Sequence, residues 1–122
     1  MTSLKMPKVE KSIISQKDII SSDLQKFTNS KNILSHRDEL KPYETDALSA
    51  YKQKPLIVVF PENTNEVSKL LSYCNANRIK VVPRGAGTGL SGGALPVADS
   101  ILLCLGKFKK IIDIDYKNRC VV

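Results

Sequence analysis

Apolar and polar positions change rhythm near residue 54. Before it the pattern is irregular. Residues 1–12 are polar and basic, and a frayed end is expected there. Ile19, Ile20 and Leu24 then recur at helical spacing, which predicts a helix over residues 16–27. Ser15 is its expected N-cap, with Asp18 three residues on, and Lys26 sits near the C-terminal end, where a cation suits the helix dipole. Residues 28–31 read as a turn, and Ile33 and Leu34 as a short strand. Residues 36–42 read as a connector, and residues 45–51 fit no element.

Beyond residue 54 the pattern becomes regular. Pro55 and Pro61 bound an apolar, partly β-branched run, residues 56–60, which reads as a strand buried on both faces. Asn63 is placed to N-cap a helix, with Glu66 at N3 able to reach back to the cap. Val67, Leu70, Leu71 and Cys74 follow at i, i+3, i+4 and i+7, giving one apolar stripe. Residues 75–77 end that helix and residues 80–82 begin a second strand. Such a strand–helix–strand unit implies parallel pairing with a right-handed crossover. Residues 101–105 predict a third strand, residues 109–115 a weakly alternating fourth, and Cys120-Val121-Val122 the opening of a fifth. The expected class is α+β.

A length of 122 residues fits one modest domain or a piece of a larger one. The formal net charge is +7, but the charge is spread over both halves and forms no stripe, so it points to no particular polyanion. Cys74, Cys104 and Cys120 match no metal or redox spacing, and Cys74 and Cys104 read as small core residues. An odd cysteine count, with no apolar segment of secretory type at the start, suggests a reducing compartment. A cytoplasmic location is expected, with contact at the inner face of the membrane left open. A histidine-based metal site is not expected, because His36 is the single histidine and reads as a connector residue.

The chemistry concentrates in Pro83-Arg84-Gly85-Ala86-Gly87-Thr88-Gly89-Leu90-Ser91-Gly92-Gly93-Ala94, where five glycines fall within nine residues. Glycine reaches positive φ at little steric cost and lets a ligand approach the backbone, and Gly87 and Gly89 are the expected positions for this. Successive amides in such a loop can converge on an anion. Thr88 and Ser91 add hydroxyl donors, and Arg84 adds a planar, permanently charged fork suited to phosphate or a flavin carbonyl. Together these suggest a diphosphate cradle. A Walker A loop is excluded, because no lysine lies between Arg84 and Lys107. The Rossmann fingerprint fails as well, because a strand and not a helix follows the glycines. A flexible linker is the bland alternative, although linkers seldom embed Arg, Leu and Thr. A non-redox nucleotide-binding module and a basic nucleic-acid-binding protein also stay open; the latter predicts clustered cations with interleaved aromatics.

These residues carry a resemblance. Residues 57–60, Pro61, Glu66, Val67 and the run Val81–Ala94 resemble the start of the FAD-binding domain of the vanillyl-alcohol oxidase/PCMH flavoprotein family. Pro42-Tyr43-Glu44-Thr45-Asp46-Ala47-Leu48-Ser49-Ala50-Tyr51 and Lys107-Phe108-Lys109-Lys110-Ile111-Ile112-Asp113-Ile114 point within it to the catalytic D subunits of glycolate oxidases and their FAD-linked D-lactate dehydrogenase relatives. The resemblance covers about residues 33–122. It implies an N-terminal helical extension over residues 1–50. Residues 51–122 would be the first part of a PCMH-type FAD-binding domain: a β-α-β unit plus antiparallel strands, truncated. It implies FAD held by residues 83–92 and hydride transfer from a 2-hydroxy acid to the flavin. Some relatives attach FAD through a histidine in this loop. The matching position is Thr88, so the expected attachment is non-covalent. Substrate groups lie in later parts of the family's chains, so no catalytic residue is expected in this one and turnover by it alone is not expected. Expected partners are FAD, the remaining C-terminal portion or other oxidase subunits, and a second copy through an open sheet edge; nucleic acid is not expected.

Overall fold

A computed structural model describes residues 6–122. Residues 1–5 of the end expected to fray lie outside the described residues. Residues 6–10 are irregular, but Lys8 and Glu10 are anchored: the Lys8 carbonyl accepts from Lys80 Nζ at 2.6 Å, and the Glu10 N–H donates to Asp99 Oδ2 at 2.8 Å. Lys80 Nζ also meets the same carboxylate oxygen at 2.7 Å. Burial works to raise the pKa of Asp99, but the Lys80 ammonium and the backbone amides outweigh it and hold the carboxyl below its usual range.

The helix expected over residues 16–27 is α2 (Lys17–Leu24), and a further helix, α1 (Lys11–Ser15), precedes it. Ser15 closes α1 and does not cap α2, its Oγ donating to the Ser12 carbonyl at 2.9 Å. Ile13, one turn ahead of Lys17, packs on the core and draws helix back to residue 11. Ile20 and Leu24 are buried as their spacing requires, whereas Ile19, counted with them, is exposed. β1 (Ile33–Leu34) follows, then the short α3 (Arg37–Leu40) and a 3-10 turn at Lys41–Tyr43.

β2 (Ile57–Val59) is buried along its whole length, as a strand covered on both faces must be. α4 (Thr64–Ala76) starts at Asn63, whose side chain accepts from the Glu66 N–H at 2.9 Å. Glu66 reaches back, but to the Glu62 N–H and the Asn63 amide rather than to the cap's own N–H. β3 (Lys80–Arg84) and β4 (Ser100–Cys104) complete a four-stranded sheet in the order β1-β2-β4-β3. β1 is antiparallel to β2, and β2, β4 and β3 are mutually parallel, with Val58 opposite Leu102 and Val82 opposite Leu102 on the other side.

The strands flanking α4 therefore run parallel but are not neighbours, because β4 lies between them. The reason is chemical. β4 is buried at every position, whereas Pro83 has no N–H to give a second neighbour and suits a sheet edge. Alternate side chains face two layers. Ile57, Val59, Ile101 and Leu103 pack with Ile20, Leu24, Leu70 and Cys74 on one side, while Val58, Leu102 and Cys104 pack with Leu40 on the other.

The expected fourth strand shrinks to β5 (Ile114–Asp115), paired antiparallel with β6 (Cys120–Val121). Ile112 and Asp113 still donate to the Val122 carbonyl at 2.7 and 3.2 Å, but residues 109–111 join no ladder. This hairpin is a separate two-stranded sheet, and Ile111, Ile112, Tyr116 and Val121 stay exposed on it. Among the described residues no helix is long and apolar enough to cross a membrane.

Candidate functional site

Parallel strands deliver their C-terminal ends to one edge of a sheet, and the crevice outside that edge is where open α/β sheets place ligands. In this fold Phe60 follows β2, Arg84 ends β3, and Cys104 ends β4. All three line one cleft of about 410 Å³, together with Tyr43, Thr45 and Asp46. That volume lies within the usual range for small-molecule sites of about 300–1,000 Å³. Burial pushes the Cys104 thiol up to about 11, against a smaller opposing pull from the Arg84 charge. Cys104 is thus a neutral wall group and not a nucleophile at ordinary pH.

The glycine loop leaves β3 at Arg84, which is itself buried. Its guanidinium turns along the loop, and Nε and Nη2 donate to the Ala94 carbonyl at 3.3 and 2.7 Å. Both ends of the loop are thereby joined by one side chain. Arg84, Gly85, Ala86 and Gly87 face the cleft. Pro83 is exposed on the edge strand, and Thr88, Gly89 and Leu90 stand in solvent at the tip. Ser91 and Gly92 return along a smaller hollow of about 190 Å³, next to Leu48 and Leu95.

Positive φ occurs at Gly87 (+72°) and Gly92 (+75°). Gly87 fulfils its expectation, whereas Gly89 does not need the left-handed region. The two positions that do need it are those where the chain bends back. The Gly87 carbonyl accepts from the Ala47 N–H at 2.9 Å, and the Gly92 carbonyl accepts from the Leu95 N–H at 3.1 Å. Gly89, at the free tip, has no such constraint. No atom lies within 4 Å of where a Cβ would stand at Gly85, Gly89 or Gly93, so the backbone there is open to close approach.

The structure brings the cleft residues of the loop together with side chains that sequence reasoning did not assign to the site: Tyr43, Thr45, Asp46, Phe60 and Cys104. Strand-end positions such as Phe60 and Cys104 were within reach of the parallel-sheet rule. Tyr43, Thr45 and Asp46 lie on irregular backbone and carry no periodic signal.

Comparison with known proteins agrees with this geometry. Residues 55–122 match the family model for an FAD binding domain. Glycolate oxidase subunit GlcD of Escherichia coli (strain K12) is 49% identical over 87 residues, covering 71% of this chain and 17% of that protein. A mitochondrial D-2-hydroxyglutarate dehydrogenase of Arabidopsis thaliana is 36% identical over 104 residues, covering 85% of this chain and 18% of that protein. The chain thus spans less than a fifth of the length of these relatives. Among solved structures, alkyldihydroxyacetonephosphate synthase superposes with a TM-score of 0.67 at 15% identity, over 93% of this chain and 22% of its own. Substrate-bound p-cresol methylhydroxylase superposes at 0.66 and 18% identity, over 84% and 21%. At these identities the likeness shows the fold alone.

Proposed function

The chain belongs to the FAD binding domain family, and on that premise we propose that it is the diphosphate-holding portion of a flavin-dependent 2-hydroxy-acid oxidoreductase of the glycolate oxidase type. The observation that carries this reading is the exit of the glycine loop from the C-terminal end of β3 into a cleft shared with the ends of β2 and β4. The open backbone at Gly85 fits a cofactor that must lie against main-chain amides.

Residues 83–92 are the proposed cofactor contacts, with Gly85, Ala86 and Gly87 nearest the cleft. Arg84 contributes positive charge beneath them and fixes the loop's two ends. Bound FAD supplies a two-electron acceptor. This chain's residues bind and orient it, and the groups that position a substrate are assigned to polypeptide outside residues 1–122. Residues 1–50 serve as a helical extension of the domain that residues 51–122 begin. Attachment is non-covalent, since Thr88 occupies the position where some relatives carry a histidine.

Beyond FAD, the proposed partner is further polypeptide of the same oxidase laid over the β5–β6 hairpin, in line with the exposed Ile111, Ile112 and Tyr116. Self-association through the same face is the competing arrangement, and gel filtration separates the two. A cytoplasmic setting fits three free thiols, one of them exposed. Nucleic-acid binding is disfavoured because the cations are spread over both halves of the chain and form no stripe.

The test is to titrate FAD into the chain, follow quenching of flavin fluorescence, and then precipitate the complex with acid. Saturable quenching with all flavin released to the supernatant is expected. No quenching would remove the functional reading, and flavin retained in the pellet would remove the non-covalent assignment.

A further inference from the structure

The wall of the cleft facing the glycine loop comes from residues 42–47, which lie outside the 55–122 span matched by the family model. This stretch has no regular structure beyond the Lys41–Tyr43 turn, yet it is fixed in place. Tyr43 meets Phe60 edge-on with ring centroids 5.7 Å apart, and the Glu44 carbonyl accepts from the Gln53 N–H at 2.8 Å. Asp46 Oδ1 accepts from the Leu48 N–H at 2.9 Å, which folds the chain into a turn. The other carboxylate oxygen of Asp46 is buried without a partner.

That turn presents two groups to the loop. The Ala47 N–H donates to the Gly87 carbonyl at 2.9 Å. The Leu48 Cδ2 methyl lies 3.5 Å from where a Cβ would stand at Gly92. The segment therefore bonds the loop at Gly87 and borders it at Gly92, the loop's two glycines of positive φ. A glycine left alone samples both signs of φ, so these are the positions where the loop would lose its shape first.

We propose that residues 44–48 are a latch that sets the glycine loop in its diphosphate-binding shape, with Asp46 as the positioning residue that forms the latch turn. The inference rests on the reading of this loop as an FAD site. Asp46, which also lines the cleft, acts through the turn that presents the Ala47 N–H to Gly87. Removing that N–H frees the Gly87 carbonyl and leaves binding to order the loop, at an expected loss of about tenfold in affinity.

The experiment is an FAD fluorescence-quenching titration of the 122-residue chain and of Ala47→Pro, Asp46→Ala and Asp46→Asn, with circular dichroism and urea midpoints measured alongside. Ala47→Pro and Asp46→Ala are expected to bind FAD about tenfold more weakly. Asp46→Asn keeps an oxygen for the Leu48 N–H and should restore parent affinity, a rescue that generalised loosening of the fold would not give. Parent affinity in Ala47→Pro would overturn the latch, and so would an Asp46→Asn variant as weak as Asp46→Ala. If Ala47→Pro fails to fold, the Asp46 pair decides. A parent chain that binds no FAD would overturn the functional reading and the latch with it, whereas a parent that binds while all variants match it overturns the latch alone.

Discussion

Arg84 Nη2 donates to the carbonyl oxygen of Ala94 at 2.7 Å, so one buried side chain spans the whole glycine loop. This places Arg84 beneath the loop as well as beside the cleft. Arg84→Met keeps the aliphatic stem and removes both donors to Ala94. It should cost about 1–3 kcal/mol, since it strands the partly buried Ala94 acceptor and removes a charged donor. Urea denaturation would measure this, and Arg84→Lys, which can supply one donor, should fall between the two.

Gly87 and Gly89 should respond differently to the same substitution. Gly87→Ala has room, since its Cβ would stand 3.5 Å from Arg84 Cδ, but φ is +72°. The expected loss is about 1–2 kcal/mol from the backbone alone. Gly89→Ala meets neither an atom nor a positive φ and should leave stability within about 0.5 kcal/mol of the parent. Thermal or urea midpoints of the two variants check the contrast, and equal losses would mean that the backbone at Gly87 is not strained.

Tyr73 predicts an alkaline transition. Burial and a 2.9 Å hydrogen bond from its hydroxyl to Asp23 Oδ2 push its ionisation up to about 12 from an ordinary value of 10.0. Because the folded value lies above the unfolded one, this contribution is complete below about pH 10 and is lost as pH rises through about 12. Tyr73→Phe should lose the hydroxyl's contribution at neutral pH and show a flatter decline between those limits. Urea midpoints taken from pH 8 to pH 12 would test it.

Leu102 lies at the centre of β4, fully buried and paired with Val58 on one side and Val82 on the other. Leu102→Ala should destabilise by about 2–5 kcal/mol, the range for large-to-small core changes. Calorimetry would show the loss. A smaller change would indicate that Leu40 and Cys104, which share its layer, relax into the space.

Much of this was legible in the chain. Two prolines, an Asn63 cap and a stripe from Val67 to Cys74 located β2, α4 and β3, because each acts locally, although Leu71 of that stripe is exposed. Sheet order was misread: the strands flanking α4 were expected to pair with each other, yet β4 lies between them, although Pro83 marks an edge and the apolar run of β4 marks a centre. Arg84 read as a charge awaiting a ligand, since composition cannot show that burial turns its donors onto Ala94. Tyr43, Thr45 and Asp46 carried part of the family resemblance but no sign of a place in the cleft, because irregular backbone held by single main-chain bonds has no period. The hairpin strand was read too long because residues 109–111 alternate weakly but find no partner strand.

That hairpin has a consequence for motion. A two-stranded ribbon is marginal by itself, and Ile112 and Tyr116 are 80% and 85% exposed rather than packed. Its amide protons should exchange with solvent through small local openings, while those of β4 await unfolding of the whole sheet. One molecule would then hold two clocks: a slow one at Leu102 and Leu103, and a fast one at Ile114 and Val121.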